Sequence, residues 1–239
     1  MDPNLTAPRV IYSDDSLIAI NKPPGMLVHR TKLDAHETRF ALQWVRDHIG
    51  QHVYPLHRLD KATSGVLVFA KSPEIARYWS EAWHTDAIDK HYLALVRGWP
   101  VSEGTINHPL RDPDSAPDSL KKEAETAFIS IRNYLINSKI DRYEMSRFAL
   151  LQLRPITGRR HQLRQHLKHI NHPIIGDVRY GKGTYNRWAR EHLGEARLFL
   201  HAHQLQLNDG ATSITITAPP DAHWRQSLAF LEDNSRATE

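Results

Sequence analysis

His57-Arg58-Leu59-Asp60-Lys61-Ala62-Thr63-Ser64-Gly65 runs directly into Val66-Leu67-Val68-Phe69-Ala70, with Pro55 closing it off upstream. Five consecutive apolar residues rich in β-branching read as a buried strand. Thr63-Ser64-Gly65 has turn composition, because small hydroxyls bond the local backbone and glycine accepts positive φ. Asp60 is therefore expected in a loop that feeds a rigid strand, where a scaffold displays a reactive side chain. Arg58 and Lys61 flank it, and positive neighbours favour its ionised form. Two readings fit these residues alone: Asp60 is a reactive carboxylate, or it caps the turn and pairs with Arg58 on the surface.

Upstream, residues 10–12 and 17–20 read as two strands around the acidic turn Asp14-Asp15, and Asn21-Lys22-Pro23-Pro24-Gly25 ends the second. Phe40, Ala41, Trp44, Val45, His48 and Ile49 recur at helical spacing before Gly50, predicting a helix over 38–49. Downstream, Ser72-Pro73-Glu74 starts a helix that runs to about Trp83. Residues 91–97 then form a strand with Tyr92 near its beginning. The Asp-, Pro- and Ser-rich stretch 111–123 is expected to be an exposed loop, and 124–131 and 147–153 to be strands. Residues 133–142 carry no clear signal. Within 159–170, Leu163, Leu167 and Ile170 make an apolar stripe, with Arg160, His161, Arg164 and Lys168 around the rest of the circumference. Residues 198–207 and 213–217 close the chain as strands, ahead of a polar tail at 233–239. Many strands without a βαβ rhythm argue an α+β fold.

Composition narrows the chemistry. The 239 residues are 40% hydrophobic and 24% charged, the balance of an ordinary globular chain with room for a core. Thirty-one basic residues against 27 acidic ones leave a net +4, and the pI of 9.3 suits a polyanionic partner. With no cysteine, disulfides, thiolate metal sites and cysteine nucleophiles are excluded. Residues 1–7 show neither the basic nor the apolar region of a signal peptide, and no apolar run reaches membrane-spanning length, so a cytoplasmic protein is expected. Among the 16 histidines, His166 and His169 lie at i, i+3, and His201 and His203 share a strand face. No carboxylate accompanies them in register, so no metal site is expected. Gly181-Lys182-Gly183 lacks the spacing and the hydroxyl residue of a phosphate loop.

The nonapeptide at 57–65 resembles the His-Arg-Leu-Asp-x-x-Thr-Ser-Gly motif of the RluA-type pseudouridine synthases, which modify structured RNA. Further segments resemble that family in the same order along the chain. Lys22-Pro23-Pro24-Gly25 resembles its first motif and Lys90-His91-Tyr92 its basic-x-Tyr motif. Gly158-Arg159-Arg160-His161-Gln162-Leu163-Arg164 resembles its Gly-Arg-x-His-Gln-Leu-Arg motif, and Leu200-His201-Ala202 falls where the family places an apolar residue beside the aspartate. The resemblance implies a mixed, largely antiparallel bent sheet with peripheral helices and a central RNA-binding cleft. It implies one catalytic domain over 1–239 without an N-terminal accessory RNA-binding domain, and no cofactor, metal or obligate protein partner. Residues 27–30 and 45–55 resemble most the subfamily acting on uridine 65 of tRNA. An rRNA enzyme is the alternative substrate reading, and a catalytically idle RNA-binding module the alternative class.

The resemblance also assigns roles. Asp60 is the catalytic aspartate, Arg164 the arginine that pairs with it, and Tyr92 the aromatic face that packs on the target base. Arg58, Leu200, His57 and Lys90 are expected around the substrate, with Leu200 as a wall of the pocket and Arg58 able to fill the place of an extruded base. The chemistry explains the residue types. Uridine and pseudouridine are isomers, so a C–N glycosidic bond must break, the freed uracil must turn, and a C–C bond must form. A carboxylate supplies a nucleophile or a base, and these residues leave both roles open. A stacked uridine reaches such a site only when flipped out, and it is then held against an aromatic ring.

Overall fold

The computed structural model describes residues 7–30, 38–83, 85–116, 118–194, 197–210 and 213–236; expectations for residues 1–6 and for the last three residues of the polar tail lie outside them. In chain order the elements begin with β1 (Arg9–Ser13), β2 (Leu17–Lys22), α1 (Ala41–Ile49), β3 (Tyr54–Pro55), β4 (Ser64–Ala70) and α2 (Pro73–Ala82). Then come β5 (Ile88–Arg97), β6 (Glu103–Asn107), β7 (Glu125–Ile136), β8 (Ser146–Pro155) and α3 (Gln162–His169). The last are α4 (Gly183–His192), β9 (Leu200–Asn208), β10 (Ser213–Thr217) and α5 (Ala222–Asn234). The strand pairing is mixed and largely antiparallel, which bears out the α+β expectation. The chain forms two compact units, Met1–Lys90 with His201–Pro219 and His91–Leu200 with Pro220–Glu239. No helix among the described residues is long and apolar enough to cross a membrane.

In the first unit the strand order is β1-β2-β4-β9, with β10 on β9 and β3 on β4. β4 is buried at all seven positions, so it reads as a continuous apolar run rather than an alternation. Leu17 and Ala19 of β2 and Val66, Val68 and Ala70 of β4, which share one face of the sheet, join Leu56, Trp79 of α2 and Leu205, Leu207 and Ile216 in one core. Burying each such side chain contributes on the order of 1.5–3 kcal/mol. β4 pairs antiparallel with β2 but parallel with β9, through Ser64↔His201 and Gly65↔Ala202. Gly65 has φ +112°, and a Cβ there would sit 2.1 Å from the Ala202 carbonyl oxygen. Glycine is thus required by close strand approach, and the residue read as turn already belongs to the strand.

α2 starts as expected, with Pro73 at its first position and the Ser72 hydroxyl accepting from the Ile75 amide at 3.3 Å. α1 starts three residues later than the periodicity predicts. Phe40 is extended and bridges Leu27, so the Ala41 and Leu42 amides donate to the carbonyls of Leu27 and Val28 at 2.8 and 2.9 Å. A neighbouring segment, not a local side chain, satisfies the helix's first donors.

The second unit is an antiparallel run, β5-β8-β7-β6. β7 continues to Ile136, through part of the stretch that carried no signal, because a bulge between Ser130 and Arg132 shifts its register on β8. α4 and α5 went unforeseen. In α4 the buried Tyr185, Trp188 and Ala189 form a proper stripe, but Asn, Arg and His dilute it. α5 is capped by Asp221, which accepts from the Trp224 amide at 2.9 Å, and it takes in the first residues of the expected polar tail.

Candidate active site

In the first unit, Asp60 lies on the loop before β4, half-buried, between buried Leu59 and exposed Lys61. Its carbonyl accepts from the Thr63 amide at 3.0 Å, closing the turn that reverses the chain into the strand. The Lys61 carbonyl accepts from the Gly25 amide at 2.8 Å and from Lys22 Nζ at 3.2 Å. Lys22 is fully buried, and its ammonium also donates to the carbonyls of Pro23 and Met26 at 3.0 and 2.9 Å. The Lys-Pro-Pro-Gly segment is therefore more than a turn: its lysine fastens two loops together beside Asp60. Arg58 is exposed on the same loop, and Lys90, half-buried at the start of β5, has its pKa lowered by burial, with Asp89 opposing.

His57 serves the loop itself. Its Nε2 accepts from the Val68 amide at 3.2 Å, one place along from Leu56, whose amide donates to the Val68 carbonyl at 3.0 Å. The imidazole thus stands in for a backbone carbonyl where β3 has ended. It stacks on Trp83 with centroids 4.8 Å apart and planes at 16°. Burial, aided by the Lys90 charge, pushes its pKa down to about 3, so it is neutral and free to accept. The Ser64 hydroxyl and His201 Nδ1 lie 2.9 Å apart, and His201 Nε2 is 2.9 Å from the Ala218 carbonyl. Because a carbonyl only accepts, Nε2 carries the proton and Nδ1 accepts from the serine.

Tyr92, half-buried on β5 opposite Leu153 of β8, belongs to the second unit, as do Arg164 on α3 and buried Leu200 at the start of β9. Arg164 is not on the polar face of its helix. It is 7% exposed, and its guanidinium grips Asp177 with Nε to Oδ2 at 2.7 Å and Nη2 to Oδ1 at 2.9 Å. Asp177 is 1% exposed, and its Oδ1 also accepts from the amides of Arg179 and Tyr180 at 2.9 Å each. Burial pushes its carboxyl up, but Arg164 and these amides outweigh that and hold it below the usual carboxylate range. The Tyr180 ring lies 5.2 Å from the Arg164 guanidinium carbon, and its hydroxyl is 3.1 Å from His161 Nδ1.

Gln162 ties the preceding loop down. Its oxygen accepts from the Thr157 hydroxyl and the Arg159 amide at 2.7 and 2.9 Å, while its nitrogen donates to the Glu125 carbonyl and Thr126 Oγ1 at 2.9 and 3.0 Å. His166 is fully buried, with Nδ1 3.0 Å from Thr126 Oγ1 and Nε2 3.0 Å from the His108 carbonyl. Among the described residues no three His, Asp or Glu side chains group to hold a metal ion. Facing solvent in this unit is a depression of about 500 Å³, its lining including Arg111, Lys122, Arg159 and Arg160. Sequence reasoning missed Asp177 and the Lys22 tether. The signal for Asp177 was an acid directly after Ile174-Ile175-Gly176, where an apolar pair leads into burial.

The family model for RNA pseudouridylate synthase matches residues 16–169, a span that takes in Asp60, Tyr92 and Arg164. A tRNA pseudouridine synthase C of Pasteurella multocida is 45% identical over 232 residues, covering 93% of this chain and 96% of its own. One from Haemophilus influenzae is 45% identical, covering 92% and 95%, and one from Vibrio cholerae 42%, covering 92% and 94%. Among solved structures, human RNA pseudouridylate synthase domain containing 4 is similar with a TM-score of 0.69 at 26% identity, covering 93% of this chain and 92% of its own. Human RNA pseudouridylate synthase domain containing 1, at 23% identity and a TM-score of 0.71 over both whole chains, shares the fold. The braced aspartate loop and the clasped arginine are thus features of a chain that belongs to the RNA pseudouridylate synthase family.

Proposed function

We propose that this RNA pseudouridine synthase isomerises a uridine of tRNA, uridine 65, with Asp60 as its catalytic carboxylate. The observation that carries the tRNA reading is the 45% identity, along nearly both whole chains, to relatives named tRNA pseudouridine synthase C. Asp60 breaks the C–N bond as nucleophile or base. After the uracil turns, C5 joins the sugar and loses its proton, while N1 gains one, so the reaction balances without cofactor or metal. Arg164 orients that carboxylate and keeps it charged, and Tyr92 supports the freed ring. Arg58, exposed beside Asp60, takes the place of the extruded base, with His57, Lys90 and Leu200 around the substrate. Exposed arginines and lysines near α3 meet phosphates, positioning the RNA without reading its sequence, so affinity falls steeply with salt. The working compartment is the cytoplasm.

The test compares purified wild-type protein and Asp60→Asn on bulk tRNA and rRNA, mapping pseudouridine by carbodiimide-blocked primer extension. The wild type is expected to convert one T-stem uridine of tRNA. The variant is expected to bind tRNA equally well and convert nothing. Appreciable pseudouridine from the variant refutes the role of Asp60, and conversion confined to rRNA moves the substrate while leaving the chemistry.

A further inference from the structure

We infer that Arg160 and Arg179 form a seat for one backbone phosphate of the RNA, and that Asp114 fills this seat until RNA arrives; this rests on the reading that exposed cations near α3 meet phosphates. The Asp114 carboxylate spans the two arginines, with Oδ2 2.5 Å from Arg160 Nη1 and Oδ1 3.3 Å from Arg179 Nη1. The arginines come from separate stretches of chain, one just before α3 and one just after Asp177, and a single anion with two oxygens joins them. Hydrogen bonding from Arg160 holds the Asp114 carboxyl below the usual carboxylate range, so it is charged at neutral pH. A phosphodiester offers the same pattern, one negative charge shared over two oxygens that each accept from a guanidinium. Arg160, Asp114 and Arg179 are 39%, 42% and 45% exposed, so a polynucleotide can reach them, and ion pairs this exposed hold weakly.

The loop that carries Asp114 keeps it at the arginines. Leu110 and Lys122 exchange two backbone hydrogen bonds of 2.8 Å, drawing the ends of the loop together, and Arg111 Nε donates to the Ser119 carbonyl across it at 2.9 Å. Asp112 Oδ1 accepts from the Asp114 amide at 3.0 Å, and the Asp112 carbonyl accepts from the Ser115 amide at 3.1 Å. Arg179 Nη2 donates to the Pro113 carbonyl at 2.7 Å. Arg160 also lines the depression of about 500 Å³, where Arg111, Lys122, Arg159 and Arg160 face one acid, Asp112, among the described residues. An incoming strand is therefore attracted beside the seat before it displaces the carboxylate. The exchange leaves each arginine with an anion and turns Asp114 out against the RNA, where like charges repel. Asp114 thereby holds RNA affinity down.

Affinities for tRNA and for a single-stranded oligoadenylate are measured against potassium chloride concentration. The proteins are wild type, Asp114→Asn, Asp118→Asn, Arg160→Gln/Arg179→Gln and the triple variant that adds Asp114→Asn to that pair. All four positions are exposed or nearly so, and thermal melting checks that each variant keeps the fold. Asp118 is exposed in the same loop with the same charge, so it reports the general effect of removing an acid. Asp114→Asn is expected to bind both RNAs about fivefold tighter, and Asp118→Asn less than about twofold tighter. The salt slope for the oligoadenylate is expected to steepen by about 0.7 in Asp114→Asn, one more cation being open to phosphate. Without the two arginines the Asp114 substitution is expected to change nothing, because the seat is gone. If Asp114 merely orders its arginines, the sign reverses and its loss weakens RNA binding. Unchanged or weaker binding by Asp114→Asn overturns the inference while the function stands. An equal gain from Asp118→Asn, or a gain that survives loss of both arginines, overturns it in the same way. A wild-type protein that binds no RNA overturns the reading of the cations near α3 and this inference with it.

Discussion

His57 makes the stability of this protein depend on pH in a way that can be isolated. Its Nε2 is the acceptor for the Val68 amide, and a proton on that nitrogen turns the bond into a clash of two donors. The folded-state pKa of about 3 lies below the ~6.5 of an unfolded chain. The unfolded state therefore takes the proton first. The contribution of His57 is intact above about pH 6.5 and is lost as pH falls through the window toward 3. At pH 5 the unfolded histidine is almost fully protonated and the folded one is not, which costs about 2 kcal/mol relative to pH 7.5. Any folded-state pKa below about 4.5 gives the same result, so the magnitude does not depend on its depth. The comparison is His57→Gln, whose amide oxygen accepts from the same N–H and does not titrate. Urea unfolding followed by circular dichroism at pH 7.5 and 5 should show the wild type losing about 2 kcal/mol more than the variant. The other histidines, buried His166 among them, are common to both proteins and cancel in the difference. Equal losses in the two proteins refute the assignment of the imidazole as a neutral backbone acceptor.

Lys22→Met removes the donor shared by three loop carbonyls and is expected to cost about 3 kcal/mol in urea unfolding; an unchanged midpoint rejects the tether. Gly65→Ala places a methyl group 2.1 Å from the Ala202 carbonyl oxygen at φ +112°, and the expected loss is about 4 kcal/mol or more, read from the melting temperature. A variant melting within a few degrees of wild type shows that β4 and β9 can part at little cost. Excess chelator should leave turnover undiminished, and activity lost and then restored by zinc would return the histidines to consideration.

What was legible in the sequence and what was not divides along contact range. β4 was plain because burial along its whole length leaves an unbroken apolar run, and α2 because Ser72 and Pro73 start it locally. The start of α1 was misplaced because the donors of its first turn go to Leu27 and Val28. β7 was cut short because the bulge after Ser130 breaks the period on which the reading depends. Arg164 was found by its motif, but helical spacing put it on a polar face, since nothing local announces a carboxylate 13 residues on that lets an arginine be buried. His57 was expected near substrate, and the structure shows what else the ring does: it supplies an acceptor that the short β3 cannot.

Two buried cations show why residue type matters more than charge in the braced loops of this protein. Lys22 meets backbone carbonyls converging from three positions, and a compact ammonium with rotatable donors can face all of them. A guanidinium is wider, and it holds its donors in a fixed planar fork. Arg164 meets one carboxylate edge-on, which fixes both its position and its plane, and an ammonium there would keep the charge but lose the direction. Lys22 and Arg164 are therefore not exchangeable with each other's residue type even though each swap conserves charge. The first cation fastens loops, where only distance counts. The second meets a carboxylate edge-on, where orientation counts, and a buried aspartate, itself held by two backbone amides, and a tyrosine ring surround it.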